Sequence, residues 1–269
     1  MHTPNYRTIK LLKELTWERN QKRHIVGSPI EIPHRYSDKR DIEISAFLTA
    51  WIYDGSSKSL LAAKEIDNLM EGQPFRWITQ KRYLFLSDSH NQRKTLHHPY
   101  SYRDFMMICM KISDLLYVFG SIERGISSTL SGSYLESMQL LFNRSKGLTG
   151  NIGLPIIKLN MFLMWTGRND GNVCLGLYDL DQSKLLIPLE REVLKAAKRL
   201  HLTNSRIADL KTSIEVTEAL RWFDSKDPTK YYFGLLGYSE MKKSNDGSLR
   251  DIIGKPITRH RRSKNYYKQ

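Results

Sequence analysis

The longest nearly unbroken apolar stretch in the chain reads Leu154-Pro155-Ile156-Ile157-Lys158-Leu159-Asn160-Met161-Phe162-Leu163-Met164-Trp165, with one charge, on Lys158. Pro155 suits the first turn of a helix, where its missing N–H has no partner to lose, and Gly167 suits the end. Apolar residues all round predict a helix enclosed by protein. Elsewhere the apolar positions recur at three- and four-residue spacing, which predicts amphipathic helices. One holds Ile42, Ile44, Phe47, Leu48 and Trp51, opened by Ser37-Asp38 and stopped at Gly55. The next holds Leu60, Leu61, Ala63, Ile66 and Leu69 and ends at Gly72. Ser101 with Asp104, and Ser133 with Glu136, have the spacing of capping boxes ahead of Phe105, Ile108 and Ile112 and of Leu140, Leu141 and Phe142. Leu189, Val193, Ala196, Ala197 and Leu200 form one stripe behind Pro188, with Glu190 in the first turn, where the helix dipole favours an ionised carboxylate. A short helix is predicted over residues 6–15, another near 206–223, and a last one from Asp227-Pro228 onward. Residues 81–100 and 169–183 read as loops. Alternating β-branched runs are scarce, so the class is all-α.

The charge changes the picture. The chain has 269 residues and a formal charge of +14, enough length for one large domain or two lobes sharing a cleft. Such an excess suits a polyanion, with nucleic acid before an anionic membrane. Lys255, Arg259, Arg261, Arg262, Lys264 and Lys268 supply part of it; +14 less these six leaves +8 on the body. The expected division is a helical body over 1–240 and a flexible basic tail over 241–269. No apolar run approaches the roughly 20 residues of a membrane span, and residues 1–20 lack an apolar signal core, so a cytoplasmic protein is expected. Cys109 and Cys174 stand far apart, as reduced thiols do, and His97-His98 has no neighbours completing a metal-ligand spacing. No Walker loop and no strand-preceded G-x-G-x-x-G occurs. Neither metal nor nucleotide cofactor is expected.

Two features carry candidate chemistry. An enclosed Lys158 loses hydration, so it pairs with a carboxylate, sheds its proton, or snorkels along its stem to the surface. A lysine kept partly neutral is a nucleophile. Just before it, Gly147, Gly150 and Gly153 stand three apart between two helices. That spacing makes either a plain turn or a hairpin whose exposed N–H groups hold a phosphate.

Lys158 to Trp165 together with Leu186-Ile187-Pro188-Leu189-Glu190 resembles an uncharacterised bacterial family, domain of unknown function 2400. The likeness extends to Ile42-Glu43-Ile44-Ser45-Ala46-Phe47-Leu48 and to Phe223-Asp224-Ser225-Lys226-Asp227-Pro228-Thr229-Lys230-Tyr231. That family in turn resembles the helix-hairpin-helix DNA glycosylases, nearest the archaeal 8-oxoguanine type. The resemblance implies a two-lobed helical fold with a central cleft and a DNA duplex as partner. It implies backbone contact through Gly150, Asn151, Ile152 and Gly153, and a base pocket that includes Trp165 and Tyr232. It also implies a glycosylase/lyase mechanism in which Lys158 attacks the anomeric carbon of the sugar and Glu190, 32 positions later, is its electrostatic partner. Glutamate stands at 190 where the family has aspartate, Ile157 replaces one cation of a Lys-Arg pair, and Tyr232 replaces an acid. The competing classes are a catalytically silent DNA-binding protein of the same fold and an unrelated basic helical nucleic-acid binder.

Overall fold

The computed structural model describes residues 6–88, 91, 94–130 and 132–244. Helices dominate them: α1 (Tyr6–Arg19), α2 (Lys39–Ile52), α3 (Ser57–Leu69), α4 (Pro74–Thr79), α5 (Tyr102–Phe119), α6 (Ile122–Thr129), α7 (Tyr134–Leu141), α8 (Leu154–Gly167), α9 (Arg191–Arg199), α10 (Leu210–Arg221) and α11 (Tyr231–Ser244). The all-α expectation holds. Both capping boxes form: Ser101 and Asp104 exchange backbone and side-chain bonds at the start of α5, as Ser133 and Glu136 do at the start of α7. The first helix runs a full turn beyond the predicted end, to Arg19.

Residues 81–100 are more ordered than a loop. A 3-10 segment, Arg82–Ser87, buries Tyr83 and Leu86 against α5, and two short antiparallel strands follow, β1 (Thr95–His97) and β2 (Tyr100–Ser101). Strands this short are invisible to any test of alternation. Gly167 also differs in role from the one its position suggests. It is the last residue of α8 rather than its left-handed cap, and a side chain there would press on Leu180 at 3.0 Å.

The core is built on α2 and α8, which pack against each other. Every residue of α2 from Glu43 to Ile52 is buried, and so is every residue of α8 from Lys158 onward. The charged groups carried into that core are bonded, whereas the Ser45 hydroxyl on α2 and the Asn160 amide on α8 are buried without a partner among the described residues. Glu43 accepts from the Tyr178 hydroxyl at 2.6 Å and from the first N–H groups of α6, those of Ile122 and Glu123. Arg168, just past α8, is forked onto Asp227 and also reaches Asp170, which ties the end of α8 to the start of the segment before α11. On the other side, α1 lies close along α11 because Gly234 has no side chain: a Cβ there would stand 2.8 Å from the Leu12 carbonyl. No single helix among the described residues is long and apolar enough to cross a membrane. α11 continues past residue 241 to Ser244, and the basic tail from 245 lies outside the described residues.

Candidate functional site

The last carbonyls of a helix have no partner within it, and at the end of α2 one of them is met from α8. Lys158, in the second turn of α8 and only 2% exposed, donates from Nζ to the Trp51 carbonyl at 2.5 Å and to the Tyr100 hydroxyl at 2.7 Å. Tyr100 comes from β2 and packs its ring edge-on against Trp51, with ring centres 4.9 Å apart. Gly147 makes room for it. At φ +79° it takes a left-handed turn, and a Cβ there would collide with the Tyr100 ring at 2.8 Å. One of the three hairpin glycines therefore serves the lysine site.

Burial drives the Lys158 pKa down to about 7, opposed by the charge of Asp54. Burial alone would raise the carboxyl of Asp54, but bonds from His97, Ser56 and Ser59 outweigh it and hold that carboxyl well below the usual range. The His97 ring lies 2.9 Å from Asp54 Oδ2. Around the amine, then, stand two neutral oxygens and one nearby anion. Two acceptors match the two hydrogens of a neutral amine and leave its lone pair unengaged.

Glu190 sits elsewhere. It is the residue before α9, and its side chain caps no helical N–H. The side chain instead lines a cavity of about 430 Å³ together with Tyr53, Gly55, Trp165, Tyr232 and Phe233. The Tyr232 hydroxyl donates to Glu190 Oε1, while Oε2 faces Gly55 and has no partner among the described residues. Burial raises the Glu190 pKa, and the Tyr232 bond offsets it only in part. An ionised carboxylate was expected here from the helix dipole; desolvation without a bonded cation outweighs that dipole.

Lys158 is not among the residues lining this cavity. No hydrogen bond or ion pair joins it to Glu190 among the described residues. Both approach the C-terminal end of α2, Lys158 at Trp51 and Glu190 at Gly55. Trp165 and Tyr232 both line this cavity.

The turn before α8 is exposed at Gly150, Asn151 and Ile152, the last 68% open to solvent. Gly153 donates its N–H to the Ala208 carbonyl at 2.6 Å, and Leu210 donates to the Asn151 carbonyl. That amide of Gly153 is spent, whereas the N–H groups of Gly150, Asn151 and Ile152 have no acceptor among the described residues. A groove of about 470 Å³ runs beside them, lined by Asn151, Ile152, Asp209, Lys211 and Ile214.

Residues 28–240 match the family model described as protein of unknown function (DUF2400). The chain belongs to this family. No curated protein and no solved structure matches the chain. The family region takes in α2, α8, the hairpin, Lys158 and Glu190, and leaves α1 outside it. Two residues beside Lys158 escaped the sequence reading, Asp54 and Tyr100, and His97, weighed there only as a metal ligand, bonds to Asp54. The signal for Asp54 was its place, a charged residue directly after the apolar stripe of α2. For Tyr100 there was none, since its packing on Trp51 depends on the fold.

Proposed function

We propose that this DUF2400 member is a two-lobed helix-hairpin-helix protein that binds duplex DNA and acts as a glycosylase/lyase of the base-excision type, with Lys158 as nucleophile. The observation that carries the reading is the Lys158 amine, enclosed between Trp51 and Tyr100 with its pKa drawn down to about 7. Near neutral pH about half of such lysines carry a lone pair, against about one in three thousand for a solvated one. At an abasic site the amine adds to the sugar aldehyde and water leaves, giving an imine. In the electrostatic role beside the lysine, Asp54 is better placed than Glu190, because its charge already opposes the fall of the lysine pKa. Glu190 enters as the acid of the neighbouring cavity, with Trp165 and Tyr232. Duplex backbone is read by the free amides of Gly150, Asn151 and Ile152, with Lys211 alongside and a body charge of +8.

The test is borohydride trapping with a duplex carrying one abasic site. Wild type should give a covalent adduct whose yield rises with pH up to the lysine pKa and then levels. Lys158→Gln should abolish it and leave duplex affinity nearly unchanged. A second reading is favoured by the depth of burial: Lys158 is a structural lysine that satisfies the end of α2, and the protein binds DNA without reacting. Absence of any wild-type adduct at every pH would select it.

A further inference from the structure

Of the two carboxylates that line the cavity, Glu240 is paired with Arg19, whereas Glu190 has no cation and one oxygen without a partner among the described residues. It has a bond on one oxygen and nothing on the other, and the free oxygen, Oε2, is the one toward Gly55 and the cavity. No cation is bonded to it among the described residues. The facing groups are Tyr53 beyond α2 and Tyr232 on α11, both phenols whose ionisation burial suppresses. Farther along the wall, Arg19 is paired with Glu240, and His24 lies beside Arg19. A carboxyl so placed gains little by ionising and much by keeping its proton. The wall also carries four aromatic rings, those of Tyr53, Trp165, Tyr232 and Phe233, beside aliphatic Leu60, Val173 and Leu236. Flat π-faces with one hydrogen-bond donor suit a flat ring that presents an acceptor.

We propose that Glu190 serves this cavity as a neutral acid, taking the Tyr232 hydroxyl hydrogen on Oε1 and offering its own proton from Oε2 to a ring nitrogen or carbonyl of an uncharged aromatic heterocycle. This deepens the reading above and rests on it for the heterocycle being a nucleic-acid base. It reverses the part the glycosylase resemblance gives Glu190, which there is an anion. A donor also discriminates: a ring that turns an N–H toward Oε2 is rejected, since two donors then face each other unpaired. No proton leaves the pair on binding, so the carboxyl hydrogen is shared and the site stays uncharged.

The experiment uses the full chain with adenosine and guanosine as probes, titrated calorimetrically between about pH 5 and about pH 8, below the ionisation of the guanosine N1–H. His24 lies on the same wall, so every protein carries His24→Gln. One or both nucleosides should bind, and affinity should fall toward tenfold per pH unit once the pH passes the raised Glu190 pKa. Glu190→Gln keeps a donor of similar size without the titration; its affinity should stay within a few-fold of the low-pH value and become flat with pH. Tyr232→Phe removes the bond that lowers the Glu190 pKa, so the loss of affinity should move to higher pH. Binding that is flat with pH and abolished by Glu190→Gln would overturn the proposal, as would failure of both nucleosides to bind. Trapping at an abasic site engages no base. Intact trapping without nucleoside binding therefore overturns this inference alone, and nucleoside binding without trapping overturns the lysine reading alone.

Discussion

Replacing Lys158 by methionine tests the electrostatics of its site through folding. Methionine keeps most of the stem and deletes the amine. In the unfolded chain the lysine titrates near its ordinary 10.5, and in the folded chain near 7. Between those values the unfolded chain holds more protons, so wild-type stability rises with pH across the window. At about 1.4 kcal/mol per pH unit, the fall from 10.5 to about 7 amounts to about 5 kcal/mol. Below pH 7 the folded protein carries that whole cost; above about 10.5 it carries none. The substitution also leaves the Trp51 carbonyl and Tyr100 hydroxyl without their donor, at about 1–3 kcal/mol each. That second term varies little with pH, so it cancels when the two proteins are compared across the range. Urea unfolding at each pH unit from about 6 to about 10 should show wild type gaining on Lys158→Met by most of 5 kcal/mol. Parallel stability curves would refute the claim that burial neutralises this lysine.

Two further predictions concern the scaffold and the charge. Glu43 accepts three bonds on one oxygen, so Glu43→Gln should lose no more than about 1 kcal/mol, whereas Glu43→Ala should lose about 3 kcal/mol or more by urea unfolding. Log affinity for duplex DNA should fall linearly with log salt, at about −0.9 per phosphate neutralised; deletion of residues 255–269 should flatten the slope without abolishing binding. Complete loss of binding in the shortened protein would place the contact in the tail alone.

Most of the helices were legible because their signals are local, though the short α4 and α6 were not read. Ser101 with Asp104 and Ser133 with Glu136 each fix a helix start within four residues, and the apolar run around Lys158 announces a buried helix by composition alone. What failed to read was decided by distant packing. Gly167 does end α8, but as its last helical residue rather than a left-handed cap, with Leu180 from a later loop packed where a side chain would stand. Glu190 looks like an acid favoured by a helix start. Its charge state is instead set by enclosure with Tyr232, 42 positions away. The partners of Lys158 come from the end of α2 and from a two-residue strand: Trp51 carries the periodic mark of its helix but offers a backbone carbonyl, and Tyr100 carries no such mark. The lysine itself was visible; that its acceptors are neutral oxygens was not.

The central claim is that the amine of Lys158 is the reacting group, and peptide mapping of the trapped adduct tests it most directly. Wild-type protein reduced with borohydride on an abasic duplex, then digested and sequenced by mass spectrometry, should carry the reduced sugar on the peptide containing Lys158 and on no other. The sugar found on another amine, such as the N-terminus or Lys146, or an adduct that persists in Lys158→Gln, would contradict it.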